Sequence, residues 1–146
     1  MKHGNSLKLR GSYKIYDGDK LVREGENLIP DAGYDFICNV IGLAAQPAEM
    51  AYIAVGTNST APAAGNTALG AEVASSRTAA TYAHTAGTKT MTLTTTFGAG
   101  VGTGALTEVG IFNASSGGTM ISRHTFSVYN KGAGDSLTVV WTLTLS

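Results

Sequence analysis

Between Thr57 and Ser146 the chain is built of short runs that alternate apolar and polar residues, broken by glycine and small polar residues. Period-two runs of this length leave room for little but β-strands. The cleanest is at the end, where Leu137, Val139, Trp141, Leu143 and Leu145 alternate with Thr138, Val140, Thr142 and Thr144. It is expected to be a central, well-paired strand. Alanine, glycine, threonine and serine make up 69 of the 146 residues, and 10 of the 20 charged side chains lie beyond Asn27. Such a segment supports stacked strands and tight turns. It offers few groups to a substrate that needs an acid, a base or a metal.

The length, 146 residues, predicts one domain spanning 1–146, large enough to bury a core without metals or disulfides. Ten basic and ten acidic side chains cancel. There is no basic field to hold a phosphate backbone, so no nucleic-acid partner is expected. The single cysteine, Cys38, lies in the run Phe36-Ile37-Cys38-Asn39-Val40-Ile41, which predicts a buried, inert thiol. The segment Met1 to Ser6 lacks the apolar core of a signal peptide, and no apolar run approaches ~20 residues. Neither a leader nor a membrane partner is expected.

Along the chain, Leu7, Leu9, Gly11, Tyr13 and Ile15 alternate with Lys8, Arg10, Ser12, Lys14 and Tyr16. Asp17-Gly18-Asp19 reads as a hairpin turn rather than a calcium loop, and Lys20 to Asn27 returns as an edge strand. The whole forms a charged N-terminal hairpin, 7–27. Pro30-Asp31 opens a helix, with Asp31 as cap. Tyr34, Ile37, Cys38 and Ile41 form its inward stripe, and Gly42 ends it. Ala51 to Val55 is a short buried strand, and Thr67 to Val73 a helical turn anchored by Leu69. Ser76 to His84 and Lys89 to Thr96 form a hairpin about Ala86-Gly87, which sets Tyr82 opposite Met91. Gly98 to Gly104 reads as a connection between sheets, since no Lys-Ser/Thr follows it to make a phosphate loop. Thr107 to Asn113 and Gly118 to Tyr129 form a further hairpin, whose symmetric register sets Glu108 opposite Arg123, Gly110 opposite Ile121 and Phe112 opposite Thr119. The opposed Glu108 and Arg123 form a candidate structural ion pair, of the cross-strand kind worth under ~1 kcal/mol. The total, about eight or nine antiparallel strands with one short helix, predicts an all-β fold, a jelly roll or β-sandwich.

Chemistry is sparse. His3, His84 and His124 have no partner at metal-ligand spacing, there is no Gly-x-Ser-x-Gly elbow, and Cys38 has no nearby histidine. The expectation is no enzyme, no cofactor and no metal, with function carried by surface. The charged hairpin supplies the candidate interface: Lys8, Arg10, Lys14, Tyr16, Lys20 and Arg23.

Two blocks carry a resemblance. The first is Asn27-Leu28-Ile29-Pro30-Asp31-Ala32-Gly33, then Tyr52-Ile53-Ala54-Val55-Gly56-Thr57, Ala61-Pro62, Thr67-Ala68-Leu69-Gly70-Ala71-Glu72 and Arg77. The second is Glu108-Val109-Gly110-Ile111-Phe112-Asn113, Gly117-Gly118-Thr119-Met120-Ile121-Ser122-Arg123 and Gly134 to Thr142. In this order they resemble small structural proteins of tailed bacteriophages, over most of residues 27 to 145. Some of those are capsid cement (decoration) proteins, as in a short-tailed Bordetella phage, and others are tail-fibre components. The resemblance implies a virion protein made in the host cytoplasm and placed on the capsid surface. Its partners would be the major capsid protein and itself, as a homodimer or, alternatively, a trimer. The competing expectation is a tail-fibre or tail-tip protein that binds a host-surface receptor. No catalytic residue carries over.

Overall fold

A computed structural model of the chain describes residue 4 and residues 6–146. His3 lies outside them. The strands are β1 (Leu9–Asp17), β2 (Lys20–Asn27), β3 (Tyr52–Gly56), β4 (Thr78–Ala79), β5 (Thr81–His84), β6 (Thr90–Phe97), β7 (Gly104–Phe112), β8 (Met120–Lys131) and β9 (Leu137–Leu145). One helix, α1 (Asp31–Gly42), joins β2 to β3. The pairings are all antiparallel and form two sheets, ordered β2-β1-β9-β6-β5 and β4-β3-β7-β8. The fold is an all-β sandwich.

The period-two pattern explains the core. Tyr13 and Ile15 of β1, Leu93 and Phe97 of β6, and Leu137, Val139 and Trp141 of β9 lie on one face of the larger sheet, all buried. They meet Ile53 and Val55 of β3 and Val109 and Ile111 of β7. β9 is central, paired to β1 on one side and β6 on the other, as its alternation predicts. The β1–β2 turn falls on Gly18-Asp19, with Gly18 at φ +57°. Asp17 accepts a hydrogen bond from the Tyr129 hydroxyl (2.8 Å), so its carboxylate ties the hairpin to β8.

Several sequence expectations are corrected. The segment Ser76 to His84 is not one strand: it pairs with β3 as β4, then changes sheets at Ala80 to pair with β6 as β5. Buried Thr95 holds this corner by donating to the Ala79 carbonyl (2.8 Å). The β5–β6 register sets Tyr82 opposite Leu93 rather than Met91. The turn runs further than Ala86-Gly87 suggests, with Gly87 at φ +87° and Lys89 at φ +57°. In the β7–β8 hairpin, Arg123 faces Gly110, Phe112 faces Met120 and Glu108 faces Thr125. Ile121 is left unmatched on β8, a bulge that the symmetric register could not include.

Helix α1 is also turned relative to expectation. Pro30, not Asp31, is its cap, with no side-chain capping bond. Its buried residues are Gly33 and Phe36, while Tyr34, Cys38, Val40 and Ile41 are exposed. At Gly33 a Cβ would stand 2.8 Å from the Ile121 carbonyl, so the helix touches the bulge where it has no side chain. That contact fixes its rotation and brings its first turns inward. In the C-terminal half Ile37 of the expected stripe packs half-buried against the core, while Val40, Ile41 and the Cys38 thiol stay in solvent.

Thr67 to Val73 makes no helical turn. It is irregular, bending at Ala68, Gly70 and Ala71, with Glu72 bridged to Gly56 and Leu69 buried. Its backbone N–H groups have found a partner other than helical carbonyls, as follows.

Candidate interaction surfaces

The segment from Thr57 to Arg77 lies across the outer face of the smaller sheet. Small residues on that face, Ala54, Gly56 and Gly110, let it lie close: a Cβ on Gly56 would stand 2.5 Å from the Ala71 carbonyl. Leu69 packs there with Phe112, Met120 and Ala54 as a second small core. Beside it is the Glu108 carboxylate, fully buried. It accepts from Gly70 N (2.9 Å), Ala71 N (2.7 Å) and Asn58 N (3.3 Å). Arg123, 2% exposed, reaches the same carboxylate with Nη2 at 2.8 Å and Nε at 2.9 Å. Arg123 Nη1 then donates to Asn66 Oδ1 at 3.1 Å. Glu108 and Arg123 thus pair diagonally rather than directly opposite, under a layer of chain. A buried carboxylate that accepts this many donors is a clasp on the loop. Sequence reasoning found the pair and missed its burial. The visible signal was a lone acid in the run Val109-Gly110-Ile111-Phe112, flanked across the sheet by glycine at Gly56.

Arg77 closes the same layer. It makes a two-point ion pair with Glu72 (2.9 and 3.1 Å), donates to the Ala114 and Gly117 carbonyls, and stacks 3.6 Å over the Phe112 ring. At the other end of the sandwich, Lys131 is buried and donates to the Gly98 (2.9 Å) and Asp135 (2.8 Å) carbonyls. It pins the glycine-rich connection between the sheets.

The candidate residues of the charged hairpin do not form one surface. Lys8, Arg10, Lys14 and Lys20 are exposed, and Tyr16 is half-buried. Arg10 and Lys14 share the outer face of the larger sheet with the threonines of β6 and β9, but Glu26 pairs with Arg10 (3.3 Å) and Glu24 faces Lys14. The strip is therefore mixed in charge. Lys8 and Arg10 border a shallow groove of about 650 Å³ with Leu7, Tyr34 and Ser146. Arg23 belongs elsewhere: it donates from Nε to the Ser127 carbonyl (2.7 Å) and from Nη2 to the Val128 carbonyl (2.5 Å). It closes the sandwich between β2 and β8, and is occupied as a strut.

His124, on the inner face of β8, stacks against Tyr13 at 4.2 Å between ring centroids. Burial holds its imidazole below the usual value of 6.5, against a smaller upward pull from the hydrogen bond with the Glu26 backbone. A folded-state value below the unfolded one means that the unfolded chain binds the proton more readily. Stability carried by neutral His124 is then full above 6.5 and declines as pH falls through the folded value. Urea midpoints measured between pH 7.5 and 5 should fall more steeply for the parent than for His124→Gln. Parallel curves would refute this. Among the described residues, no three His, Cys, Asp or Glu side chains come together as a metal site.

A groove of about 520 Å³ opens between the second half of α1 and the inner face of β5-β6-β9. Its floor is Trp141 and Ile121, and its walls are Ile37, Val40, Ile41 and Tyr82. Among the described residues, Glu49 is the one charged side chain on its lining.

No family model, no curated protein and no solved structure matches this chain.

Proposed function

We propose that this chain is a structural protein of a tailed-phage virion, a capsid cement protein that binds the mature capsid lattice noncovalently and has no catalytic role. One observation carries the reading: the two sequence blocks with the phage resemblance meet in space. Gly56, Gly70 and Ala71 of the first and Glu108, Gly110 and Arg123 of the second build the buried clasp that holds the outer layer down. On this reading, the residues of the two blocks serve as a scaffold for the outer layer.

Such a module acts by mass action, since a protein that binds only the expanded lattice stabilises it. Many modest contacts per particle add through multivalency. The threonine-bearing part of the larger sheet's outer face, on β6 and β9, has few charges to desolvate on docking. The test is co-sedimentation of the purified protein with capsids of the parent phage stripped of it, and separately with host cells. Stoichiometric binding to expanded capsids, with recovered heat resistance, is the expected result. Binding to cells and not to capsids would move the protein to the tail and overturn the cement reading.

A further inference from the structure

We propose that the apolar groove and the free edge of β5 together form a two-fold interface for a second copy of this chain. The proposal names the self-association surface of the virion role above and rests on that reading for its purpose, while the contact itself is testable without a capsid.

Among the described residues, β5 pairs with β6 on one side and with nothing on the other. Its sequence, Thr81-Tyr82-Ala83-His84, has no lysine, glutamate or proline, and all four residues are exposed. Edge strands of soluble monomers usually carry such guards against strand addition. The other edge of the same sheet does: β2 holds Lys20, Arg23, Glu24 and Glu26. At four residues β5 is a short edge, but it has no lysine, glutamate or proline to block strand addition, and a copy of itself, reversed by a two-fold axis, pairs antiparallel with it.

The surroundings fit that occupant. Of the nine large apolar side chains exposed among the described residues, four (Val40, Ile41, Tyr82 and Leu145) line the groove or its smaller neighbour across Tyr82. Tyr82 is 61% exposed and stands on the inner side of the edge strand. Pairing the two edges makes one ten-stranded sheet, with both tyrosines at the axis and the two α1 helices on the same side. Each Tyr82 and Ile41 then has the partner's groove to fill, as aromatic anchors do at interface centres.

Charge points the same way. The Ala80 N–H bonds the Ala51 carbonyl (2.8 Å), which places Glu49 toward the start of β5. Lys89 lies beside His84 at its end. Reversing the strand brings the acid of each copy toward the base of the other. The formal net charge of zero adds no long-range repulsion between copies.

The test is sedimentation equilibrium of the full chain and of Ile41→Glu, Tyr82→Lys, Glu49→Lys and Lys89→Glu, with circular dichroism as a check on folding. All four sites are on the surface or the groove rim, so folded variants are expected. The wild type should have twice the chain mass. Ile41→Glu and Tyr82→Lys should run as folded monomers. Each charge reversal should weaken the dimer several-fold, and the double reversal Glu49→Lys/Lys89→Glu should restore it. A wild type that is monomeric up to its solubility limit overturns the proposal. So does a trimer, which an isologous strand pair cannot build, or a dimer that Ile41→Glu and Tyr82→Lys leave unchanged. A dimer lost in those variants supports this surface even if capsids do not bind, in which case only the cement role fails.

Discussion

Replacing Glu108 by alanine is expected to lower the stability of the folded chain by about 3–5 kcal/mol, the usual loss when one partner of a buried ion pair is removed. Arg123 would stay behind, 2% exposed, with Asn66 Oδ1 as its remaining side-chain acceptor. The N–H groups of Gly70, Ala71 and Asn58 would lose their acceptor as well. The ordinary surface value for a cross-strand Glu–Arg pair, under ~1 kcal/mol, does not apply, because both partners are buried. Urea denaturation followed by circular dichroism measures the loss, and the melting temperature should drop by roughly 10–16 °C. Arg123→Met alone should also destabilise. The double variant Glu108→Leu/Arg123→Met should recover only part of the stability, since an apolar side chain at 108 leaves the loop amides unpaired. Full recovery would mean that the ion pair, and not the clasp on the loop, carries the energy. A loss under 1 kcal/mol for Glu108→Ala would mean that the loop is not held at this point at all.

The second large effect is expected at Trp141, the chain's single tryptophan, where truncation to alanine should destabilise by about 3–5 kcal/mol. Trp141 is 1% exposed on the central strand, between Tyr13 of β1 and Leu93 of β6. Its indole N–H donates to Asn27 Oδ1 at 3.0 Å, so it also fixes the end of β2 where the chain leaves for α1. Trp141→Phe keeps much of the volume and loses that bond, so it should retain most of the stability that alanine removes. The two variants separate packing from the hydrogen bond. Equal losses would assign the effect to the hydrogen bond and refute the packing account. Domains of this kind have about 5–15 kcal/mol in total, so the Glu108 and Trp141 truncations together, about 6–10 kcal/mol, should remove most of the stability.

Much of the architecture was legible in the chain. Leu137 to Leu145 alternates so regularly that a central strand with one buried face was its natural reading, and β9 is that strand. Asp17-Gly18-Asp19 marked its own turn, because Gly18 takes a positive φ without strain. Other elements were hidden where a local pattern is satisfied by a distant group. Thr67 to Val73 has the composition of a helical turn, yet its amides bond a carboxylate on β7, 37 to 38 residues away. The register of β7 and β8 depends on a bulge at Ile121, and hairpin symmetry carries no trace of it. Arg23 reads as a solvated edge charge, and only the approach of β8 shows that it is a strut.

By itself, the sequence determined the class of fold, the central strand and the scarcity of titratable groups, because period-two alternation and composition are local properties that survive any packing. The tertiary structure alone decided that Glu108 and Arg123 are buried, since their burial comes from a loop folded over them. It also decided that α1 shows Cys38, Val40 and Ile41 to solvent. Helical periodicity says that a stripe exists, but the contact at Gly33 sets which way it turns, and that contact belongs to two elements at once.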